Sequence, residues 1–413
     1  MKSANSTLPD EPPNGVTGGL DWSRDDHAVS VVNERGREAV RHTVEHTAAG
    51  LRELVAVLLD AGCREVAIEY PDGPVVDALL AARLIVVVIS PNQVKNLRGR
   101  YGSAGNTDDR FDAFVLADTL RTDRARLRPP VPDTGATVAL RLIVRVRRDL
   151  VATANQLRAH LRAVFPGAVD LFADIDSPMS LAFLARFTTQ EQADWLSPVR
   201  LGAWLTKQSY SGKVDPTVLH DRLTAAPRGA VGTEATVHGA ITRGFIAVLG
   251  TLLEQIKQLT AEIDAQLSAH ADAHIFTSLP RSGRVRAARL LAEMDDGRAK
   301  FPTPESLFCL AGVAPSTRQS GKIRAVGFAL ACDKQVRDAV CDFAGDSRRA
   351  NPWAADLYCR ARARGHDHQH AVLILARAWL YAIWHCWQDR VAYDPARHHA
   401  LQRILKQDQP DAA

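Results

Sequence analysis

The run VTGGLDWSRDDHAVSVV at residues 16–32 decides the fold, because it holds two strand-like segments joined by a short polar turn. We interpret Val16–Trp22 as one strand and His27–Val32 as the next, since β-branched residues bounded by polar ones are typical of strands. A further turn leads to a third strand near Glu38–Val44. The pattern predicts the start of a sheet whose first strand carries an acidic residue, Asp21, near its end.

Helices and short strands alternate along the next hundred residues, as the spacing of the apolar residues indicates. The predicted elements are a helix at Thr47–Ala61, a strand at Glu65–Glu69, a helix at Val75–Ala82, a strand at Leu84–Ile89 and a helix at Asp109–Leu120. The run at Leu84–Ile89 is wholly apolar, which is typical of a central strand buried on both faces. This order predicts an α/β RNase H-like N-terminal domain, although many α/β folds share parts of it.

The rest of the chain is mainly helical. Two long apolar stripes predict a helical hairpin or a short coiled coil, and they fit core packing and dimerisation equally well. The stripes are Val138, Leu142, Val146, Leu150, Leu157 and Leu161, and then Ile241, Phe245, Val248, Leu252, Ile256, Leu259, Ile263 and Leu267. The stretch 166–232 between them is less regular.

The predicted domains follow from these patterns. They are a disordered tail at 1–14, the α/β domain at 15–130, a helical or coiled-coil linker domain at 131–272, a mainly α domain at 273–395 and a tail at 396–413.

The composition is that of a folded soluble protein, with 46% apolar residues, 24% charged residues and a net charge of +4. A membrane span is not expected, since no apolar stretch of about 18 residues is present, and the N-terminus lacks the apolar segment of a signal peptide. The six cysteines form no CxxC pair, so we expect buried thiols in a reducing cytoplasm and no zinc site.

Arginines crowd the end of the α/β segment. Their planar guanidinium groups suit phosphate contacts, although such a run also fits a solvated face. The candidate nucleic-acid contacts here are Arg98, Arg100, Arg110, Arg124, Arg126 and Arg128.

Four acids occupy matching places in the predicted elements. Asp21 and Glu69 end two strands, and Asp109 and Asp112 share one face of a helix because they are three residues apart. Carboxylates gathered in this way need a counter-charge, and Mg²⁺ (or Mn²⁺) prefers oxygen ligands. Two such ions can clamp the attacking and leaving oxygens of a phosphodiester.

Each acid also has a structural interpretation. Asp21 fits a turn cap, and Glu69 fits a solvated strand end. Asp109 fits a helix N-cap, a place for which Asp108 competes. The neighbouring His27 is expected at the strand surface, and Tyr70 is expected to pack.

These segments resemble a known family. Gly19–Ser23, Ile68-Glu69 and Thr107–Asp118 are similar to the DEDD (RuvC-like) transposases of bacterial insertion sequences, the bridge-RNA-guided recombinases with a C-terminal serine domain. The resemblance implies that Asp21, Glu69, Asp109 and Asp112 hold the metal.

A second resemblance to the same family lies in the C-terminal half. Ser306–Pro315 followed by Ser316–Lys322 resembles the family's "GLxP…SG" signature, whose serine corresponds to Ser320. Ser316 is interpreted as a turn or capping hydroxyl. One departure is Leu279–Gly283, where the family has a Pro-Gly-x-Gly hairpin and this chain has Arg281 in place of the first glycine.

The resemblance implies a mechanism and partners. Ser320 would attack DNA and form a covalent phosphoserine, with the metal supplied in the same chain or by another protomer. Arg318, Lys322 and Arg324 would contact phosphate. A structured guide RNA would choose the DNA by base pairing, and the protein would act as a homodimer or homotetramer in the bacterial cytoplasm, at the nucleoid.

Two other functions stay open. One is an RNase H-like metal-dependent nuclease or junction resolvase, which needs no serine. The other is a decayed transposase that only binds nucleic acid.

Overall fold

The computed structural model describes residues 8–71, 73–101, 108–127, 129, 133–169, 171–172, 174–227, 230–320, 323–328 and 331–407. It divides into two compact units. The α/β unit comprises Met1–Asp133 and Asp296–Ser306, and the helical unit comprises Thr134–Asp295 and Leu307–Ala413. The predicted middle and C-terminal domains therefore lie largely within one unit.

The α/β unit is built on a mixed five-stranded sheet with the order β3-β2-β1-β4-β5. β1, β2 and β3 are antiparallel neighbours, whereas β1, β4 and β5 run parallel. The bounds are β1 Val16–Trp22, β2 Asp26–Asn33, β3 Glu38–Glu45, α1 Ala48–Asp60, β4 Glu65–Ile68, α2 Pro74–Ala81, β5 Ile85–Val88, α3 Pro91–Leu97 and α4 Asp109–Thr122. The predicted order of strands and helices is confirmed apart from α3, which was not predicted. The sheet is consistent with an RNase H-like fold.

The prediction for β5 is half right. Val86 and Val87 point to opposite faces and are both buried, so helices cover the strand on both sides. The strand nevertheless lies at the edge of the sheet and not at its centre. An apolar run indicates that both faces of a strand are covered, but it does not indicate how many neighbouring strands are hydrogen-bonded to it.

Helix α4 lies directly against the backbone of β1. A Cβ atom at Gly19 would stand 2.0 Å from the carbonyl oxygen of Ala113 and 2.4 Å from the amide nitrogen of Ala117, so only glycine allows this approach. Beside it, the Thr17 hydroxyl donates to the Ala117 carbonyl at 2.8 Å. The opposite face of β1 places Leu20 in the core that α1 and α2 cover.

Residues 8–14 belong to the α/β unit, so the predicted N-terminal tail is too long. Leu8 is buried in the core beneath α4. The Arg124 guanidinium donates to the carbonyl oxygen of Pro9 at 2.9 Å and also pairs with Glu65. These contacts hold the segment in place, and only residues 1–7 lie outside the described part of it.

The helical unit takes up most of the remaining chain. The helices and strands after residue 134 are α5 Gly135–Val164, α6 Pro166–Val169, α7 Pro178–Arg186, α8 Gln190–Ala193, α9 Pro198–Lys207, α10 Pro216–Ala225, α11 Gly232–Ala269, α12 Ala273–Thr277, α13 Gly283–Met294, α14 Pro304–Leu310, β6 Pro315–Ser320, β7 Ile323–Phe328, α15 Lys334–Ser347, α16 Pro352–Ala363, α17 His368–Asp389 and α18 His399–Gln407. The first residues of α14, up to Ser306, belong to the α/β unit. The predicted tail at 396–413 is wrong over 399–407, because these residues form α18 and bury Leu401.

Helices α5 and α11 form the predicted antiparallel pair. Thr137 bonds to His270 at 2.9 Å, Arg147 donates to Thr260 at 2.7 Å, and His160 packs on Phe245. The direction is antiparallel because the partner's number falls as the number along α5 rises.

The predicted stripe on α5 is only partly core. Val138, Leu142 and Val146 are 42%, 62% and 50% exposed, whereas Leu140 and Val144 are buried in their stead. Helix α11 is long and apolar enough to cross a membrane by length and composition alone, a test that core helices of soluble proteins also pass.

The cysteine prediction also needs a correction. All six thiols are free, but Cys309 and Cys359 are exposed and only Cys63 is fully buried.

We expect Gly19→Ala to displace α4 from β1, because the new methyl group would overlap backbone atoms that no rotamer can move. Overpacking of this kind costs about 1–3 kcal/mol or more. Hydrogen exchange should show faster exchange of the α4 amides, together with a lower denaturation midpoint. Gly250→Ala in α11 is the matched control, since no atom lies within 4 Å of its Cβ position. Equal protection of α4 in both variants would contradict the packing argument.

Candidate active site

Two of the four acids leave the sheet at the same edge. β1 and β4 are parallel neighbours with Leu20 opposite Ile68. Asp21 and Glu69 are the next residues of the two chains, so their carboxylates emerge side by side at the carboxyl ends of the strands. Ligand sites in α/β sheets form at this edge.

The other two acids lie in the first turn of α4. Asp108 is the N-cap, and its side chain accepts a hydrogen bond from the Arg110 amide at 3.2 Å. Asp109 is therefore not needed as the cap. Asp112, one turn further on, is 5% exposed. Because α4 lies on β1, its first turn stands beside Asp21.

The electrostatics show that the four carboxylates are close together. Burial, and then the neighbouring Glu69, Asp109 and Asp112, together raise the pKa of Asp21 to about 7. Burial, and then Asp112, also raises the pKa of Glu69. We call Asp21, Glu69, Asp109 and Asp112 the carboxylate cluster. The structure thus places the other three predicted acids within electrostatic range of Asp21.

One arginine belongs to this cluster. Arg98 donates from Nε to Oδ1 of Asp112 at 2.5 Å and from a terminal nitrogen to Oδ2. Its charge also lowers the pKa of Asp21 and of Glu69, against the effect of burial. Arg98 was predicted to contact phosphate, and its pairing with Asp112 was not predicted. The two residues are 14 positions apart and lie on different elements, so no spacing along one element relates them.

The oxygen donors of the cluster are of the chemical type that binds a divalent cation. Mg²⁺ takes oxygen ligands, and the four carboxylates outnumber the one guanidinium that pairs with the cluster. Within the described part of the chain, no three His, Cys, Asp or Glu side chains are grouped tightly enough to hold a metal ion. Both oxygens of Asp112 are engaged by Arg98 in this arrangement.

The remaining arginines of the basic run differ in availability. Arg110 and Arg126 are exposed, and Arg100 is 45% exposed beside Asp123. The assignment of Arg124 to nucleic acid is wrong. It is buried, and both of its terminal nitrogens bond Glu65, at 2.6 and 3.0 Å. Arg128 lies outside the described residues.

Of the two aromatic predictions near the cluster, the one for His27 is wrong and the packing expected of Tyr70 is present. His27 is fully buried, contrary to the prediction of a surface residue, and its Nε2 meets Nδ1 of His46 at 2.9 Å. Burial lowers the pKa of His27. Tyr70 packs edge-on against Trp22 with the ring centres 5.9 Å apart, and it stays 48% exposed.

Ser320 is the last residue of β6. Its backbone pairs with Ile323 of β7, which places it at the tip of a hairpin. Ser316 pairs with Gly327 near the base of the same hairpin, so its predicted role in a turn or helix cap is wrong. At this base Phe328 packs on His370.

The basic residues predicted around Ser320 are placed only in part. Arg318 pairs with Ala325 and Arg324 with Gln319 in the backbone of the hairpin. Lys322 lies outside the described residues.

Residues 279–283 retain an unusual backbone. Arg281 has φ +58° and Gly283 has φ +56°, a conformation that glycine adopts more readily than other residues. The Arg281 side chain bonds Asp346 at 2.9 Å, and Arg286 bonds the same carboxylate at 2.9 Å. These pairs lower the pKa of Asp346. Arg281, at the position where the family pattern has glycine, thus has a left-handed backbone conformation and a side chain that forms an ion pair.

Comparisons with known proteins match both halves of the chain. Residues 18–167 match the model of the DEDD transposases of IS110, described as "Transposase", and residues 273–359 match that of the "Transposase IS116/IS110/IS902 family". Together the two matches span more than half of the chain.

Similar proteins extend over nearly the whole length. The "Mini-circle putative transposase for IS117" of Streptomyces coelicolor is 29% identical, over 92% of this chain and 96% of that protein. The "Insertion element IS900 uncharacterized 42 kDa protein" of Mycobacterium paratuberculosis is 28% identical, over 92% and 98%. The "Putative transposase y4uE" of Sinorhizobium fredii is 33% identical over 42% of this chain and 52% of its own length.

The raised pKa of Asp21 predicts a pH-dependent stability in metal-free buffer. The folded protein holds a proton on Asp21 up to pH about 7, whereas an ordinary aspartate loses it near 3.8. Stability from this group is therefore present at low pH and is lost as the pH rises through about 7. We expect Asp21→Asn to gain stability over the parent chain between pH about 4 and about 7, with a constant gain above that.

Urea denaturation between pH 4 and pH 8 in EDTA measures this difference. A stability difference that does not vary with pH would show that Asp21 titrates normally. Added Mg²⁺ should stabilise the parent chain at pH 8 more than Asp21→Asn, because the variant loses one oxygen ligand and one negative charge.

Proposed function

The chain belongs to the IS110/IS116 family of transposases, enzymes that cut and rejoin DNA, and we propose that it cuts and rejoins DNA with Ser320 as the nucleophile and a divalent metal at the carboxylate cluster. The observation that carries the proposal is the convergence of Asp21, Glu69, Asp109 and Asp112 at one sheet edge. Structural acids are normally paired one by one, as Glu65 is with Arg124. Here three of the four acids share the single charge of Arg98, and a cluster of this kind is typical of a functional site.

The cluster supplies the metal site in this proposal. Asp21, Glu69, Asp109 and Asp112 would hold Mg²⁺ or Mn²⁺, which when bound polarises a phosphodiester and stabilises charge on its oxygens. The role of the chain is to keep these carboxylates at a partly buried edge. Because burial strengthens electrostatic interactions, the bound cation is held more firmly there than at an open surface.

Ser320 supplies the covalent step. Its hydroxyl oxygen forms a bond to phosphorus while the bond from phosphorus to one DNA oxygen breaks. The DNA oxygen takes up the proton that the serine loses, so a phosphoserine and a free DNA hydroxyl result. A hydroxyl of a second strand then attacks the phosphoserine and restores Ser320. The proposal requires Ser320 and the cluster to act on one phosphodiester, from one chain or from two.

The nucleic-acid contacts follow the exposed cations. Arg110 and Arg126, with Arg100 beside them in sequence, would hold phosphates of DNA or of a structured guide RNA, and Arg318, Lys322 and Arg324 would do the same near Ser320. With a guide RNA, base pairing would choose the DNA. A homodimer or homotetramer in the cytoplasm, at the nucleoid, completes this proposal. The exposed stripe of Val138, Leu142 and Val146 is its candidate subunit surface.

Ser320→Ala is expected to abolish covalent trapping of DNA. Purified protein, Mg²⁺, RNA transcribed from the element's flank and labelled DNA spanning an element end would be separated on a denaturing gel. A protein–DNA adduct should form with the parent chain and be lost in both Ser320→Ala and Asp21→Ala. Ser316→Ala, on the same hairpin, is the matched control and should keep the adduct.

The same gel separates the competing functions. DNA cleavage without an adduct that survives Ser320→Ala would indicate a metal-dependent nuclease. Binding of RNA or DNA without any cleavage by the parent chain would favour a decayed transposase. An adduct that survives Ser320→Ala would exclude this serine as the nucleophile.

Arg110→Gln and Arg126→Gln are each expected to weaken RNA binding and to flatten its dependence on salt. Each phosphate contact contributes about 0.7–0.9 to the slope of log K against log salt, so each variant should lose about that amount in a filter-binding titration. Arg222→Gln, at an exposed position of α10, is the control. Unchanged slopes in both variants would remove these arginines from the interface.

A further inference from the structure

Arg98 occupies the place in the cluster where a cation is needed. It begins the short 3-10 turn Arg98–Arg100 that follows α3. Its guanidinium engages both oxygens of Asp112, whose side chain is 7% exposed, while that of Arg98 is 27% exposed. A bidentate pair of this kind is among the stronger hydrogen-bonded contacts in proteins. Both carboxylate oxygens of Asp112 are therefore engaged by Arg98.

The same guanidinium serves the other carboxylates. Its positive charge acts on Asp21 and on Glu69 as well as on Asp112. Three acids thus share one fixed cation, and Asp109 adds a fourth carboxylate to the same cluster. Arg98 neutralises the cluster incompletely, which leaves room for a cation of higher charge.

We propose that Arg98 is the counter-cation of the metal-free cluster through its ion pair with Asp112, and that a divalent metal binds only when Arg98 releases Asp112. This inference rests on the proposed function, since it takes the cluster to be the metal site. A divalent ion carries twice the charge of a guanidinium and uses carboxylate oxygens as ligands, so the two cations compete for Asp112. Arg98 is thus a positioning residue that acts through Asp112.

The released guanidinium has a natural new partner. Its planar fork matches two oxygens of a phosphate as well as two oxygens of a carboxylate. A DNA phosphodiester at the cluster would draw Arg98 away from Asp112 and so favour metal entry. By linkage, the metal must then favour DNA binding to the same degree. The pair would couple metal loading to the arrival of a DNA strand.

Arg100 offers a matched control within the same turn. It bonds Asp123 at 3.1 Å and is not among the charges that shift the pKa of Asp21 or of Glu69. Removing it takes away one arginine of the same run without changing the cluster. Any effect that is shared by Arg98 and Arg100 would reflect the general charge of the surface.

The test is Mn²⁺ binding to the full chain without nucleic acid, followed by electron paramagnetic resonance and by thermal shift. Arg98→Ala is expected to bind Mn²⁺ about tenfold or more tightly than the parent chain, since a competing charge is removed from contact distance. Its metal-free form should melt at a lower temperature and recover on addition of Mn²⁺. Arg98→Lys, which keeps the charge and loses the fork, should lie between the two, and Arg100→Ala should match the parent chain.

The outcomes separate this inference from the proposed function. Tighter binding in Arg98→Ala and not in Arg100→Ala supports the competition. Equal affinity in the parent chain and Arg98→Ala overturns it while leaving the metal site intact. No Mn²⁺ binding by any variant overturns both the competition and the metal part of the proposed function. If Arg98→Ala does not fold, Arg98→Lys decides by the same criterion, and parental affinity there overturns the proposal.

Discussion

The contact between α4 and β1 is the constraint on which the rest of the α/β unit depends. A helix normally meets a sheet through two layers of side chains, but at Gly19 the helix backbone lies directly on the strand. The Thr17 hydroxyl satisfies a carbonyl of α4 from the same strand face. This approach sets where the first turn of α4 stands, and so brings Asp109 and Asp112 to the end of β1. The cluster is therefore assembled by regular secondary structure, which holds side chains more precisely than loops do.

The acids at the two ends of β4 differ in how fully an arginine neutralises them. Glu65 begins β4 and is fully buried against Arg124, both of whose terminal nitrogens bond it. Breaking such a pair leaves an unpaired buried charge, which costs about 3–5 kcal/mol, so this pair is structural. Glu69, just beyond the other end of β4, shares Arg98 with two further acids and keeps a raised pKa. At this end one guanidinium thus faces three carboxylates, and their neutralisation is incomplete.

The sequence predicted those parts of the molecule that local periodicity determines. The order of strands and helices and the shared helix face of Asp109 and Asp112 follow from spacing along the chain. The sequence left Asp108 and Asp109 as competing caps, and the structure has Asp108 in that place. The contacts of individual arginines could not be predicted in this way. Arg98, Arg124 and Arg126 belong to one basic run, and they differ only in which residues the folded chain places opposite them. The edge position of β5 and the exposure of Leu142 were missed for the same reason, since apolar patterns do not record which neighbour covers a given face.

Cleavage of the protein backbone by bound Fe²⁺ tests most directly whether the carboxylate cluster is the metal centre. Fe²⁺ would replace Mg²⁺ in the full chain, and ascorbate with peroxide would generate hydroxyl radicals at the bound ion. The fragments would then be sized and sequenced. The structure predicts cuts near residues 21, 69 and 109–112, three segments far apart in sequence that meet at one sheet edge, and their loss in excess Mg²⁺. Cuts confined to other segments would contradict the assignment of the metal to these acids.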